Sequence, residues 1–533
     1  MTSYKRQSGN TYNGHCSPKY NALSYTWGRW ALKNHEMHEV TAIPVKGTTW
    51  PIPRINPAHF TSEDFHNVIA DTVDPHPSDV EAPRVDFLWL DVACIHQNTG
   101  SPEQAEEIGR QAKIFGGASR VFIRLTTFTL DAINRWAVKM DLQFSIMVDP
   151  DFYTKADLSL WVSSMRDLVE AVLADPWFSS LWTLQETYLS PNAYVISRDA
   201  NKRSFDPWLL NHLSETFNIV AGAIDHNEEI HQLSKDSGLS MMITRSGLLE
   251  LFNKHLMGLL TVSSNRTTTR REDRIYGIMQ IFNLQLGASA SDADPRRNFT
   301  LSELSDQLGM TLLQKYPIQS QLHIFNGPVA LGKGWRINET STIPDKCRQF
   351  YHPKRLQQDI HPTAVLSTHN LNNDIWGIFE GRTIPFRLFA RQLLRDWPNT
   401  WELGNATVQL DYSLIPHCWL TQDRPDLKIL LLGIQILSAA NDEAREGWAV
   451  GMLLNPTTRP TRSEPSGPVR WTRVGLTIWS INDTRPKIES VGKGHLWAGL
   501  KEHISGEKES VTKRLDYLVG EGLVWKIESG LYG

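Results

Sequence analysis

Two apolar patterns alternate along this chain, and their order predicts its architecture. In DFLWLDVACI (86–95) apolar positions run almost unbroken, as in a strand buried on both faces. A polar loop follows, and then SPEQAEEIGRQAKIFGG (101–117) places Ala105, Ile108, Ala112 and Phe115 at helical spacing. Ser101 stands at the N-cap, Pro102 at the first helical position and Gln104 in a capping-box position, while Gly116 and Gly117 close the helix. SRVFIRL (119–125) reads as the next strand. Strand, helix and strand in this order predict a right-handed βαβ crossover and a parallel sheet. ALSY and TAIPV upstream are shorter strand candidates, and the Pro-rich stretch 71–86 reads as an exposed loop. Downstream, 156–178 is helical up to Pro176, SSLWTLQETYL is a short helix, and AYVIS after Pro191 is another strand.

Past residue 200 the periodicity becomes helical, strongest in GLLELFNKHLMGLL and REDRIYGIMQIFNL, with GASASDADPRRN as a loop. Beyond about residue 320 short runs such as GIFEGRTIPFRLF, LKILLLGIQIL and GLTIWSI are separated by Pro, Gly and Asn. The expected organisation is an α/β domain over 1–200, a helical region over 201–320 and a mixed or β-rich domain over 321–533. Its 533 residues exceed what one core usually organises. Hydrophobic residues at 41% and charged residues at 21% describe a globular chain.

Charge and cysteine usage narrow the classes. Lys plus Arg number 54 against 58 Asp plus Glu, a net charge of -4, which gives no overall pull toward nucleic acid or an anionic membrane. Cys16, Cys94, Cys347 and Cys418 form no CxxC pair, so neither a zinc knuckle nor a disulfide framework is indicated. No apolar run reaches membrane-span length, and the N-terminal residues lack the apolar core of a secretion signal. A reducing, cytoplasmic compartment is the expectation. GxGxxG, the Walker P-loop, GxSxG and HExxH are all absent.

Candidate chemistry collects where strands end. YNALSYTWG (20–28) closes an apolar strand with Ser24, Tyr25, Trp27 and Gly28, hydroxyls and an indole beside a residue free to take positive φ. In open parallel sheets ligands bind beyond the carboxyl ends of strands, which draws in Asp91, Cys94, His96 and Gln97 of DVACIHQN. Strand alternation would set Cys94 and His96 on one side, but neighbours on one strand seldom reach bonding geometry, so a packed thiol beside a loop histidine is the favoured reading. In LWTLQE, Trp182 and Glu186 share a helical face next to Gln185. Such an aromatic plate beside a carboxylate suits a flat heterocycle and a cation developing on its sugar, whereas residue types alone favour a buried Trp182 with Gln185 and Glu186 bonding loop backbone. The basic run RTTTRREDRIYG is interleaved with Glu272 and Asp273, which predicts ion pairs on a solvated helix start for Arg266, Arg270, Arg271 and Arg274. The histidines of HEMH and HNEEIH lack the spacing and third ligand of a helical zinc site.

Together YNALSYTWG, FLWLDVACIHQ with EEIGRQAKIFGGASRVFIRL, and DPWFSSLWTLQETYLSP resemble the three signature blocks of the fungal heterokaryon incompatibility (HET) domain, in order and spacing. TTRREDRIYGIM resembles a segment that often follows that domain. The resemblance implies a flavodoxin-like fold similar to the Toll/interleukin-receptor (TIR) domain, and a role as effector of growth arrest or programmed cell death in non-self recognition, acting through self-association or a protein partner. Because related TIR domains cleave NAD with a glutamate, it also raises Glu186 as the catalytic residue of an NAD nucleosidase-type hydrolase. In that reading Trp182 or Trp27 stacks on the base and Asp91 or Ser24 positions the ribose; NAD is then a substrate, and no cofactor is implied. Two departures stand out: His96 where the family usually has Asp, and Ser180 with Leu181 where it usually has an Arg. They keep open a third reading, divergence to a biosynthetic or regulatory task.

Overall fold

In a computed structural model the chain is described over its whole length except residues 27, 29–30, 33–39, 41, 59–60, 74–83, 98–99, 144–152, 199–207, 253–255, 345–346, 348–359, 372–373, 394–401, 404–405, 412–425, 437–446, 458–468 and 481–524. It divides into two compact units, Met1–Leu304 and Ser305–Gly533.

The first unit is built on strands β1 (Tyr20–Ser24), β2 (Phe87–Leu90), β3 (Val121–Arg124), β4 (Tyr194–Ile196) and β5 (Trp208–Leu209), in the order β2-β1-β3-β4-β5. The first four are parallel, with Ala22 opposite Trp89 and Val121; the two-residue β5 is antiparallel. Side chains alternate between two cores. Ala22, Trp89, Val121, Ile123 and Val195 enter one cluster, whereas Leu23, Leu90, Phe122 and Ile196 enter the other.

Helices cover both faces. Helix α1 (Ser62–Val73) brings Phe65 and Val68 to the second core. After α2 (Pro102–Gly109), the helices on the first are α3 (Gln111–Gly117), α4 (Leu130–Leu142), α5 (Lys155–Leu173) and α6 (Leu181–Leu189). That core is continuous with buried residues of α7 (Leu210–His226), α8 (Glu228–Ser237) and α9 (Leu239–Ser246), among them Phe217, Ile230 and Ile243.

Several expected elements are modified by tertiary contacts. The run at 86–95 is a strand only to Leu90; Asp91–Cys94 then winds one helical turn, so Cys94 and His96 do not alternate along a strand. The single helix expected over 101–117 breaks at Arg110, where the Ala112 amide donates to Gln280 Oε1 at 3.3 Å and the Gly109 carbonyl accepts from the Gln285 amide at 2.8 Å. TAIPV forms no strand over its described residues 42–45, and Asp71–Val73 belongs to α1 rather than to a loop. Within REDRIYGIMQIFNL the chain makes two short helical turns, Asp273–Tyr276 and Met279–Phe282, ended by Asn283 at φ +53°.

The second unit shares α10 (Leu301–Lys315) with the first at its start and is rich in strands. Its nine-stranded sheet comprises β6 (Ile360–Pro362), β7 (Ala364–Leu371), β8 (Asp374–Pro385), β9 (Glu402–Leu403), β10 (Ala406–Leu410), β11 (Lys428–Ile436), β12 (Gly447–Pro456), β13 (Arg470–Ser480) and β14 (Lys526–Tyr532). Strands β8, β11, β12, β13 and β14 pair in a closed cycle, antiparallel except between β13 and β14. Each of the five therefore has a neighbour on both sides, although β13 and β14 pair only through Arg470–Leu531 and Trp471–Tyr532. GIFEGRTIPFRLF is strand up to Pro385 and helix from Phe386, since Phe386–Leu393 turns helical after β8.

Candidate functional site

The strand order reverses between β1 and β3, the place where an open α/β sheet leaves a crevice at its carboxyl edge. Ser24 ends β1 there and is 2% exposed. Its hydroxyl donates to the Glu186 carboxylate and accepts from the Trp177 indole Nε1 at 2.7 Å. Trp177, fully buried, is held by Asp175, whose carboxylate accepts from the Trp177 amide at 2.9 Å and from Thr127 N and Oγ1 at 2.8 and 2.7 Å. The cap fixes the backbone of Trp177, and from its indole side-chain bonds run through the Ser24 hydroxyl to one carboxyl.

Glu186 projects from α6. The residue keeps part of its surface exposed, yet protein packed around its carboxyl pushes the pKa up to about 8; the Ser24 bond opposes this and the charge of Asp91 adds to it. Asp91, at the end of β2, accepts from Val92 N at 2.7 Å and faces Tyr25. Burial and then that carboxylate hold the Tyr25 phenol well above its ordinary value. Tyr25 packs on Phe65 with ring centroids 5.0 Å apart, and the Arg124 guanidinium lies 5.8 Å from the same ring. Burial lowers the pKa of Arg124 to about 10, partly offset by Asp64.

Four of the expected site residues, Ser24, Tyr25, Asp91 and Glu186, thus meet at one sheet edge. The others lie elsewhere or serve other contacts. The Trp182 indole donates to Asp273 at 3.3 Å. Gln185 is fully buried; its amide donates to Gln111 and its oxygen accepts from Gln280 N at 3.1 Å. Gln97 donates to the carbonyls of Ile95 and Asp91 at 2.7 and 3.3 Å, closing the turn after β2. The His96 ring lies 4.8 Å from that of Trp50. Gly28 is exposed, takes no positive φ and has open space where a side chain would stand. Trp27 is outside the described residues, as is HEMH.

Burial pushes the Cys94 thiol up to about 12, against the effect of a weak bond from Leu90 N, which leaves it a packed group rather than a nucleophile. Arg266 is not on a solvated helix start. It is 2% exposed and donates to backbone carbonyls, which corrects the expectation drawn from its acidic neighbours. Asp273, also buried, accepts from Thr268 and Trp182.

Sequence reading missed Arg124, Trp177 and Asp175. Arg124 was signalled only by one charge ending an apolar strand run, and Asp175 only by the Asp-Pro step of a helix cap. Nothing local distinguishes Trp177 from a core indole.

Among the described residues no group of His, Cys, Asp and Glu is placed to hold a metal, and no helix is long and apolar enough to cross a membrane. Comparison with curated proteins and with solved structures finds no match to the chain. Residues 20–186, from the first residue of β1 to the glutamate at the sheet edge, match the family model of the heterokaryon incompatibility protein (HET).

Proposed function

We propose that this protein is an effector of a heterokaryon-incompatibility or related cell-death response, and that its N-terminal unit acts by hydrolysing the nicotinamide–ribose bond of NAD at Glu186. The family match supports the first part. One observation carries the second: an enclosed carboxyl with its pKa raised to about 8, held by a side-chain hydroxyl at the carboxyl edge of a parallel sheet, beside a second carboxylate. The order β2-β1-β3-β4 also supports a flavodoxin-like, TIR-like domain.

The chemistry suits the site. Breaking the N-glycosidic bond sends its electron pair to the nicotinamide nitrogen, quenching that ring's charge, and leaves an oxocarbenium-like sugar. Water adds to the sugar and releases a proton. The cationic substrate favours ionisation of Glu186, whose carboxylate then stabilises the developing cation. Ser24 and Trp177 hold the carboxyl in place; Trp177, fully buried, is not the stacking residue.

Full-length protein incubated with NAD should release nicotinamide, measured by chromatography, and Glu186→Gln should lose about 10²-fold or more of that rate. Intact NAD after prolonged incubation with folded wild-type protein overturns the hydrolase.

A second output, self-association, is favoured by α4. Val138 and Leu142 lie one turn apart on the face opposite its buried Ile133, Trp136 and Met140, and are 60% and 72% exposed. Light scattering of Val138→Asp/Leu142→Asp against wild type tests it; identical masses exclude this face as the contact.

A further inference from the structure

Arg266 carries a charge into the interior, and among the described residues no carboxylate meets it. Its Nη1 donates to the carbonyls of Ser180 at 3.2 Å and Trp177 at 3.5 Å and to Thr183 Oγ1 at 3.2 Å; its Nη2 donates to the Ser246 carbonyl at 2.7 Å. Its Nε finds no acceptor among the described residues. Burial lowers its pKa to about 9. A guanidinium held this way is expensive, and its position next to a helix N-terminus is unfavourable as well. Its acceptors lie in two places: Ser246, which ends α9, and the stretch from Trp177 to Thr183, which leads into and begins α6, the helix of Glu186.

The same strand of chain makes further bonds to that helix. Leu181 N donates to the Thr267 carbonyl at 3.0 Å, Thr267 N donates to the Ser179 carbonyl at 2.8 Å, Trp182 bonds Asp273, and Gln185 bonds Gln280. All of these partners lie beyond the family-matched residues 20–186.

We propose that Arg266 is a positioning residue for Glu186, clasping the carbonyls at the start of α6 so that the carboxyl stays against Ser24. Its consequence for catalysis rests on the hydrolase reading, whereas the positioning itself does not. The planar fork carries its donors on separate nitrogens, so Nη1 and Nη2 serve acceptors in two places, whereas an ammonium offers three donors from a single nitrogen. Without it α6 shifts, water reaches the carboxyl, and the largest cause of its raised pKa is relieved. Asp91 is the charged group acting on Glu186 and remains in place.

Because the Trp177 indole donates to the hydroxyl that bonds Glu186, its ¹⁵N–¹H signal, assigned with Trp177→Phe, reports that carboxyl without reference to activity. The wild-type signal should titrate with a midpoint near 8, and in Arg266→Met the midpoint should fall toward the ordinary carboxyl range by about one unit or more. A folded Arg266→Met protein with an unchanged midpoint overturns the proposal, as does a wild-type indole that does not titrate. If Arg266→Met does not fold, Arg266→Lys decides by the same criterion. A midpoint that moves in a protein that cleaves no NAD removes the hydrolase and leaves the clasp.

Discussion

Ser24 shows how one residue acquires a role that its neighbours in sequence do not announce. Its hydroxyl is shared between an indole and a carboxyl that lie 153 and 162 residues away. Burial pushes the carboxyl it meets up to about 8, with consequences for catalysis and for stability. For NAD cleavage, kcat/KM should rise through pH 8 as Glu186 ionises. Asp91→Asn should move that midpoint to lower pH, because the Asp91 charge is one of the causes that raise it. For stability, the folded carboxyl holds its proton more tightly than the unfolded one, whose ordinary value is 4.5. The resulting stabilisation is complete below that value and is lost as pH rises from there to about 8, by about 1.4 kcal/mol for each unit of pKa difference. Glu186→Gln does not titrate, so between pH 5 and 8 its Tm should fall less than that of wild type in a calorimetric scan. Equal slopes for the two proteins would show that Glu186 is not protonated in the fold.

Among elements, local signals set where helices start. Ser101 accepts from Gln104 N at 3.1 Å, and Pro102 opens α2. At α5 the box is reciprocal: the Thr154 hydroxyl accepts from Asp157 N at 3.3 Å, and the Asp157 carboxylate accepts from Thr154 N at 3.1 Å. Thr154→Ala should destabilise the first unit by about 1 kcal/mol in urea titration, with unchanged m-value. Elements that departed from expectation did so through distant contacts. Gln280 takes the Ala112 amide that would have carried α2 past Gly109. Arg266, in a polar run that ends in Glu272 and Asp273, is held inside by carbonyls of 177, 180 and 246. A local pattern cannot contain either event, because the competing group arrives from another part of the chain.

For the whole molecule, the first core joins sheet residues such as Ile123 and Val195 to Phe217, Ile243 and Leu248. Residues 1–300, cut before α10, should therefore unfold in one cooperative transition by circular dichroism. Residues 1–200 should show no such transition, since they keep α6 and lose everything that holds it from 246–280. A cooperative 1–200 fragment would make the later helices dispensable. What the sequence determined by itself is what period, caps and composition carry: strands within YNALSYTWG, DFLWLDVACI, SRVFIRL and AYVIS, a parallel crossover between the second and third of these, the helix start at Ser101, the strand-rich character beyond about residue 320, and three blocks that resemble the heterokaryon incompatibility (HET) domain. It also singled out Glu186, Asp91, Ser24 and Tyr25 as candidates. Only the tertiary structure decided which of the candidates stand together, that Trp182 and Gln185 bond the chain beyond residue 270 instead, and that Arg124, Trp177 and Arg266 belong to the picture. The physical reason is range: propensity and periodicity act over a few residues, whereas a pKa, a buried charge and a shared hydroxyl depend on atoms that only folding brings within a few ångströms.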